Sequence, residues 1–462
     1  MLSGQYDILV DNMWLTEIIA IILLIIPFFL LFMDGKWIFF FYTISIVANL
    51  PLIFSYVFSF SYEAIIGFVI IIVILKDIIK EKVLRYQTTK ENLLLLLMLV
   101  IIMGINLGTA IFNFNANEFL LRLFIYIVNI FILVVYTYFF KNSLNIKFIK
   151  NAFLIGAVIL IVSMIVELVY GHYILGYRNL RPAGLLLDPN VCAFALNLAF
   201  VISFLDRKTN NFIIDFLAVF VRVLILFGIF LTVSRSAYIG TIFIIIALCV
   251  YYSSGKKRWV VPSVVIIFII SYLIFYNVIN EFIENIYKII DLDRIFPKPN
   301  DLDIPPSNNG GGQIIEGVDY SNSRIALIKA AFLVFSNNFI TGVGVGNLTH
   351  EIGIITDLQM NAHNLILQLI AESGIIMLIG LIMLGYGLVV YVVKIEKKHK
   401  FIICLLFGLI VIESLFNHNL LNINIIYLTL AIIFGLTMIS SKERKVFIYV
   451  RDSFKFKVRK YK

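Results

Sequence analysis

Residues 93–112 read LLLLLMLVIIMGINLGTAIF, twenty consecutive positions without a charge. A hydrocarbon core about 30 Å thick is crossed by about 20 residues of helix, and only helices or closed barrels satisfy their backbones there. A run this long and continuous excludes the barrel, whose strands alternate. Similar runs recur along the chain, at roughly 14–33, 37–58, 62–79, 119–140, 152–170, 189–205, 212–232, 237–253, 259–279, 375–394, 400–417 and 421–440. The fold class predicted is therefore all-α, a polytopic membrane bundle of about 12–13 helices. Composition agrees, with 61% hydrophobic and 14% charged residues against about half and about a quarter in a soluble domain.

The lysines and arginines orient the bundle. With these spans, the basic stretches 76–90, 141–150, 207–208, 256–258, 394–400 and 442–462 all fall on one side, and with Lys36 they hold about 27 of the 37 basic residues. That side is expected to be cytoplasmic and to hold the C-terminus, which makes the chain a multi-pass membrane protein. The net charge of +9 thus serves orientation and does not point to nucleic acid. The N-terminal region lacks the basic stretch and cleavage site of a signal peptide, so its first apolar segment reads as a retained helix. Cys192, Cys249 and Cys404 sit inside apolar runs without pairing or metal-ligand spacing.

Domain organisation follows: 1–279 a membrane bundle with the first ten spans, 280–374 an extracytoplasmic loop with two helical segments, 375–440 the last three spans, and 441–462 a basic cytoplasmic tail. The loop begins with prolines and the run 307–312, Ser-Asn-Asn-Gly-Gly-Gly. From Ser323 to Phe335 apolar residues then recur with helical period, and Gly342, Gly344 and Gly346 mark a turn. Residues 363–372 read as a second amphipathic helix leading into the span after Gly374.

Four stretches that can carry chemistry converge on the outer face. Arg178 to Gly184, with Asp188-Pro189-Asn190, supplies guanidinium groups suited to bidentate phosphate contacts, or to lipid headgroups. Ser234-Arg235-Ser236 places a cation where a following helix presents unpaired N–H groups, an anion site in outline or an interfacial anchor. Asn322-Ser323-Arg324 opens the amphipathic helix, with Ser323 the expected cap. Last, Asn361-Ala362-His363-Asn364 precedes Glu372; His363 is the histidine between two ordered elements, able to remove a proton near neutral pH or to serve as a structural hydrogen-bonding group. Among intramembrane arginines, Arg122 is expected to snorkel outward, and Arg222, near mid-span, to need a partner. No spacing suggests a metal, and no cofactor is expected.

Arg181-Pro182-Ala183-Gly184 running to Pro189-Asn190, Ser234 to Gly240, Arg324 ahead of Gly342-Val343-Gly344, and His363-Asn364 leading to Glu372-Ser373-Gly374 together resemble the bacterial O-antigen polymerase and O-antigen ligase superfamily. The resemblance runs from about 178 to 380 and leaves the first half of the chain matched in hydrophobicity alone. It implies a metal-independent glycosyltransferase with a polyprenyl-diphosphate-linked oligosaccharide donor and a glycan acceptor. Arg181, Arg235 and Arg324 would bind the diphosphate, His363 and Glu372 would be catalytic, and Ser234, Ser236, Asn364 and Asn190 would support them. The expected function is polymerase of surface polysaccharide, O-antigen or capsule, with a possible chain-length regulator as partner. The alternatives are ligation to a lipid core and, from another class, a lipid-linked sugar flippase.

Overall fold

The structure, a computed structural model, describes residues 12–58, 61–81, 84–111, 115–140, 143–170, 182–205, 211–252, 323–356, 360–395, 397–440, 446–450 and 456–460. The expected span at 259–279, most of the first part of the long loop, and Arg181 lie outside these residues. The helices in chain order are α1 (Met13–Leu30), α2 (Gly35–Val47), α3 (Leu50–Val57), α4 (Tyr62–Glu81), α5 (Lys90–Gly108), α6 (Ala116–Phe139), α7 (Ser143–Tyr170) and α8 (Pro189–Ile202). They continue with α9 (Phe212–Leu231), α10 (Arg235–Tyr252), α11 (Ser323–Asn337), α12 (Leu348–Thr356), α13 (Leu365–Lys394), α14 (Lys397–Ser414) and α15 (Asn424–Ser440). Six of the described helices are long and apolar enough to cross a membrane, among them α5, α6, α9 and α13. The chain is a polytopic membrane protein with an α-helical bundle.

Helix starts are written in local chemistry. Thr89 Oγ1 accepts the Asn92 N–H at the head of α5, Asn115 Oδ1 that of Glu118 in α6, and Asn211 Oδ1 those of Ile213 and Ile214 in α9. Each satisfies donors that the first helical turn leaves unpaired. The expected single span at 37–58 is divided: Asn49 adopts a left-handed backbone between α2 and α3, and its Nδ2 donates to the Leu185 carbonyl at 2.7 Å. Pro51 explains the break, because it cannot donate to the preceding turn and its ring crowds that turn's carbonyl.

Burial separates the centre from the rim. Every residue of α8 from Cys192 to Ile202 is buried, as is nearly all of α15. In α9, by contrast, Phe216, Leu217, Val219, Phe220 and Val223 are each more than half exposed, the face a lipid-contacting helix presents. Arg222, in the middle of α9, has a definite partner: its Nε donates to Ser203 Oγ at 3.1 Å, its Nη2 to the Ser203 carbonyl at 2.9 Å, and its guanidinium lies 4.4 Å from the Phe204 ring centre. The hydroxyl and carbonyl of Ser203, at the end of a short neighbouring helix, meet the need for a partner that the sequence left open.

α5 and α13 run antiparallel. At one end Tyr391, late in α13, donates to Asn92 Oδ1 at 2.6 Å, with Thr437 Oγ1 of α15 at 2.8 Å; at the other end Asn106, late in α5, meets Glu372, early in α13. Gly380 and Gly387, two turns apart, let the helices approach. A Cβ on Gly387 would sit 2.5 Å from Met98 Sδ.

The Tyr391 end also carries an element not anticipated from sequence. Strands β1 (Leu84–Thr88), β2 (Val446–Val450) and β3 (Phe456–Lys460) form an antiparallel sheet in the order β1-β2-β3, with Leu84 opposite Val450 and Val446 opposite Lys460. The all-α reading holds for the bundle, and the basic tail is partly sheet. The pairing unites two of the basic stretches expected to share one side. β-branched and aromatic residues in Val446-Phe447-Ile448-Tyr449-Val450 carry the strand preference that the lysines and arginines masked. Residues 1–241 and 315–462 form one compact unit; residues 242–314 form another, of which the structure describes the remainder of α10.

Tyr391→Phe removes a hydroxyl that serves both Asn92 and Thr437 inside the bundle. Thermal unfolding in detergent is expected to show a loss of about 1–3 kcal/mol.

Candidate functional site

The site is built on a helix break. Gly374, inside α13, has φ 66° and ψ −157°, so Leu365–Ser373 is a separate helical segment and the membrane span proper begins at Ile375. The break exposes backbone groups, and the glycine loop after α11 meets them. Val343 N–H donates to the Ala371 carbonyl at 3.0 Å, Gly344 N–H to that of Glu372 at 2.9 Å, and Ile375 N–H to that of Phe339 at 2.8 Å. This is backbone packed on backbone: a Cβ on Gly342 would lie 2.3 Å from the Glu372 carbonyl, and one on Gly374 2.3 Å from that of Ile340. The expected turn at Gly342–Gly346 is therefore a docking loop. Between it and His363 runs α12, a third helical segment where the sequence reading expected two in the loop.

At the break sits Glu372, fully buried. Arg122 of α6 grips it with a two-pronged ion pair, Nη1 to Oε2 at 2.8 Å and Nη2 to Oε1 at 3.0 Å. Asn106 Nδ2 donates to Oε2 at 3.0 Å, the Gly346 N–H to Oε1 at 3.2 Å, and Gln368 Nε2, one turn back in the same helix, also to Oε1. Tyr126 donates to Asn106 Oδ1 at 3.0 Å, so the amide that serves Glu372 is itself held. Arg122 does not snorkel; its side chain is 14% exposed, against the carboxylate. Each carboxylate oxygen is taken up by at least two donors. With both oxygens so engaged, Glu372 anchors the segment that follows His363.

His363 occupies the turn before that segment. Its backbone is left-handed, φ 50°, an uncommon conformation for a non-glycine residue. Asn364 fixes it from the next position: Oδ1 caps the helix by accepting the Leu367 N–H at 2.9 Å, while Nδ2 donates to the Leu415 carbonyl at 3.2 Å. On the other side Thr349 of α12 donates to Asn361 Oδ1 at 2.6 Å. His418, from the turn after α14, stands edge-on to the His363 ring with centres 5.4 Å apart. Burial, then the nearby His363 and Arg122, push the His418 imidazole down to about 4. It is uncharged at neutral pH.

The second cluster lies at the head of α10. Ser234 is its cap, with Oγ accepting the Ala237 N–H at 3.4 Å and donating to Asn190 Oδ1 at 2.8 Å; Ser236 Oγ is 3.1 Å away. Both serines are buried, and Arg235 between them is exposed. The helix thus presents an exposed guanidinium beside its own N-terminal donors, which favours a bound anion. Asn190 sits on α8, whose N-cap Asp188 accepts the Asn190 N–H at 2.7 Å. The structure therefore joins Ser234, Ser236 and Asn190 by hydrogen bonds, and places His363 in the turn that leads into the helical segment carrying Glu372. Arg324 lies in the first turn of α11, its side chain outside the description.

Residues 220–383, about a third of the chain, match the family described as O-antigen ligase. Over this stretch the chain is similar to that family. No curated protein matches the chain. The segment matched to the O-antigen ligase family holds Ser234–Ser236, Arg324, the glycine loop, His363 and Glu372. Asn106, Arg122, Tyr126 and His418, which complete the site, lie outside it. Sequence reading missed their roles: Asn106 and Tyr126 carry no motif, and His418 looked like one more residue in a short turn. Arg122 alone left a signal, as an ion inside a span.

Glu372→Gln removes the fully buried counter-charge of Arg122 and leaves it only the part-exposed Glu118 at 3.8 Å; it is expected to cost about 3–5 kcal/mol, read as lower recovery of monodisperse protein and earlier thermal unfolding. Gly374→Ala forces a side chain into a backbone conformation open essentially to glycine and is expected to cost at least about 1–3 kcal/mol. Wild-type stability in either variant would contradict the anchor. For His418 the folded state refuses a proton that the unfolded chain accepts near 6.5. Its contribution to stability is complete above pH 6.5 and is lost as pH falls from there towards 4; a His418→Asn variant should show a flatter stability profile over that window.

Proposed function

We propose that this protein is a surface-polysaccharide polymerase of the bacterial cytoplasmic membrane, acting at its extracytoplasmic face. It takes a glycan from a polyprenyl-diphosphate carrier and transfers it to the terminal sugar of another lipid-linked repeat unit. The observation that carries the reading is His363, held in a strained turn at the head of the segment that Glu372 locks in place, at the bundle end opposite the sheet. Strain kept where the surroundings over-determine it is the mark of a residue positioned for use.

In this mechanism His363 accepts the proton of the acceptor hydroxyl as its oxygen bonds to the anomeric carbon of the donor. The bond from that carbon to the phosphate oxygen breaks, and the electron pair leaves on the diphosphate. Arg235, with Arg181 and Arg324, neutralises the charge that develops there, so the route needs no metal. The glycosyl-diphosphate bond supplies the driving force, and no cofactor takes part.

A second reading, ligation of the glycan to a lipid core, is favoured by the description of the matching family. Products separate the two. Purified protein given defined lipid-linked repeat units yields a size ladder if it is a polymerase, and a single transfer to an added lipid core if it is a ligase. A flippase would rest on polar groups at mid-membrane, and Arg222, the group that prompted that alternative, is engaged by Ser203 and Phe204. His363→Ala is expected to lower transfer by about 10²–10⁴-fold while membrane levels stay normal. Ladder formation at the wild-type rate by that variant would overturn the chemistry.

A further inference from the structure

The turn that carries His418 holds buried polar atoms without partners. Both ring nitrogens of His418 and the Nδ2 of Asn417 are shielded from solvent and have no hydrogen-bond partner among the described residues. The amide orientation is fixed by chemistry: Asn417 Oδ1 accepts the Asn419 N–H at 2.9 Å, so the oxygen faces the backbone and the nitrogen faces inward. The turn is not loose. Phe416 and Asn417 N–H groups both donate to the Glu413 carbonyl at 2.9 Å, and the Leu415 carbonyl accepts from Asn364. It is tied to the residue beside His363.

A buried donor or acceptor left unpaired costs about as much as a lost hydrogen bond, and an apolar side chain would avoid that cost. An uncharged imidazole offers one donor and one acceptor, and Asn417 adds a second donor. A hydroxyl both gives and takes, and a polyhydroxyl sugar presents several at neighbouring carbons. We propose that the Asn417–His418 turn is the acceptor-sugar subsite, in which His418 recognises a hydroxyl next to the one that His363 deprotonates. This rests on the glycosyl-transfer reading and adds an acceptor subsite to it. The ring contact between His418 and His363 sets recognition beside the base.

The test uses the full-length purified protein with the native lipid-linked repeat unit as acceptor, and with analogues each lacking one hydroxyl of the terminal sugar. His418→Phe keeps the ring and its edge contact but removes both nitrogens. It is expected to raise the acceptor KM about tenfold, the effect of one neutral hydrogen bond with its partner left unpaired, with donor KM unchanged. One deoxy acceptor should lose a similar factor with wild-type protein and lose nothing further with His418→Phe. His418→Gln, which restores a donor and an acceptor, should recover part of the difference and serves where the phenylalanine variant folds poorly. Additive losses across the whole deoxy series, or an unchanged acceptor KM in His418→Phe, would overturn the proposal and leave the turn holding only ordered water. His363→Ala run alongside keeps the two readings apart. If it abolishes transfer while the deoxy series stays additive, only this subsite fails; if it retains transfer, the glycosyl-transfer reading fails first.

Discussion

One buried ion pair, Arg122 with Glu372, sets the geometry on which the rest of the site depends. Removing two charges from water costs several kcal/mol per ion even after relaxation, and the mutual attraction repays this only when the remaining hydrogen-bonding capacity is filled. Here it is filled, by Asn106, Gln368 and the Gly346 backbone. The pair therefore favours one arrangement of α5, α6, the glycine loop and α13 over others of similar compactness. Specificity of assembly, more than net stability, is what such a pair contributes.

The break in α13 and the ion pair explain each other. A helix interrupted at Gly374 leaves backbone groups that lipid cannot satisfy, so the loop following α11 must cover them. Gly342 and Gly374 permit that contact because neither brings a Cβ into it. With the segment thus sealed, His363 is held at its head and the exposed Arg235 is carried at the start of another helix.

Much of this was legible in the sequence, and the losses have physical causes. Apolar runs such as 93–112 announce spans because the bilayer imposes length and polarity together. The left-handed break at Asn49 was hidden, since hydropathy averages over a single proline. The strands at 446–450 and 456–460 were hidden for the opposite reason: their charges resemble those of any basic tail, and pairing with 84–88 is a contact across most of the chain. Within the site, His363, Asn364 and Ser234 could be named because helix caps and titratable groups act locally. Glu372 was visible but its role was not, for its partners Asn106 and Arg122 lie more than two hundred residues away in sequence. His418 carried no signal until its ring was seen beside His363.

The family match stops at residue 383, yet the site draws on residues well before and after it. The matched segment holds His363 and Glu372, while the unmatched first half brings the clamp on Glu372 and the turn after α14 brings the neighbouring imidazole. The measurement that tests this division most directly is a density map of the protein bound to a polyprenyl-diphosphate-linked glycan. The account predicts the diphosphate beside Arg235 and the reacting sugar against the His363 turn. A diphosphate seated at the strand-bearing end of the bundle, or a bound glycan that leaves His363 untouched, would contradict it.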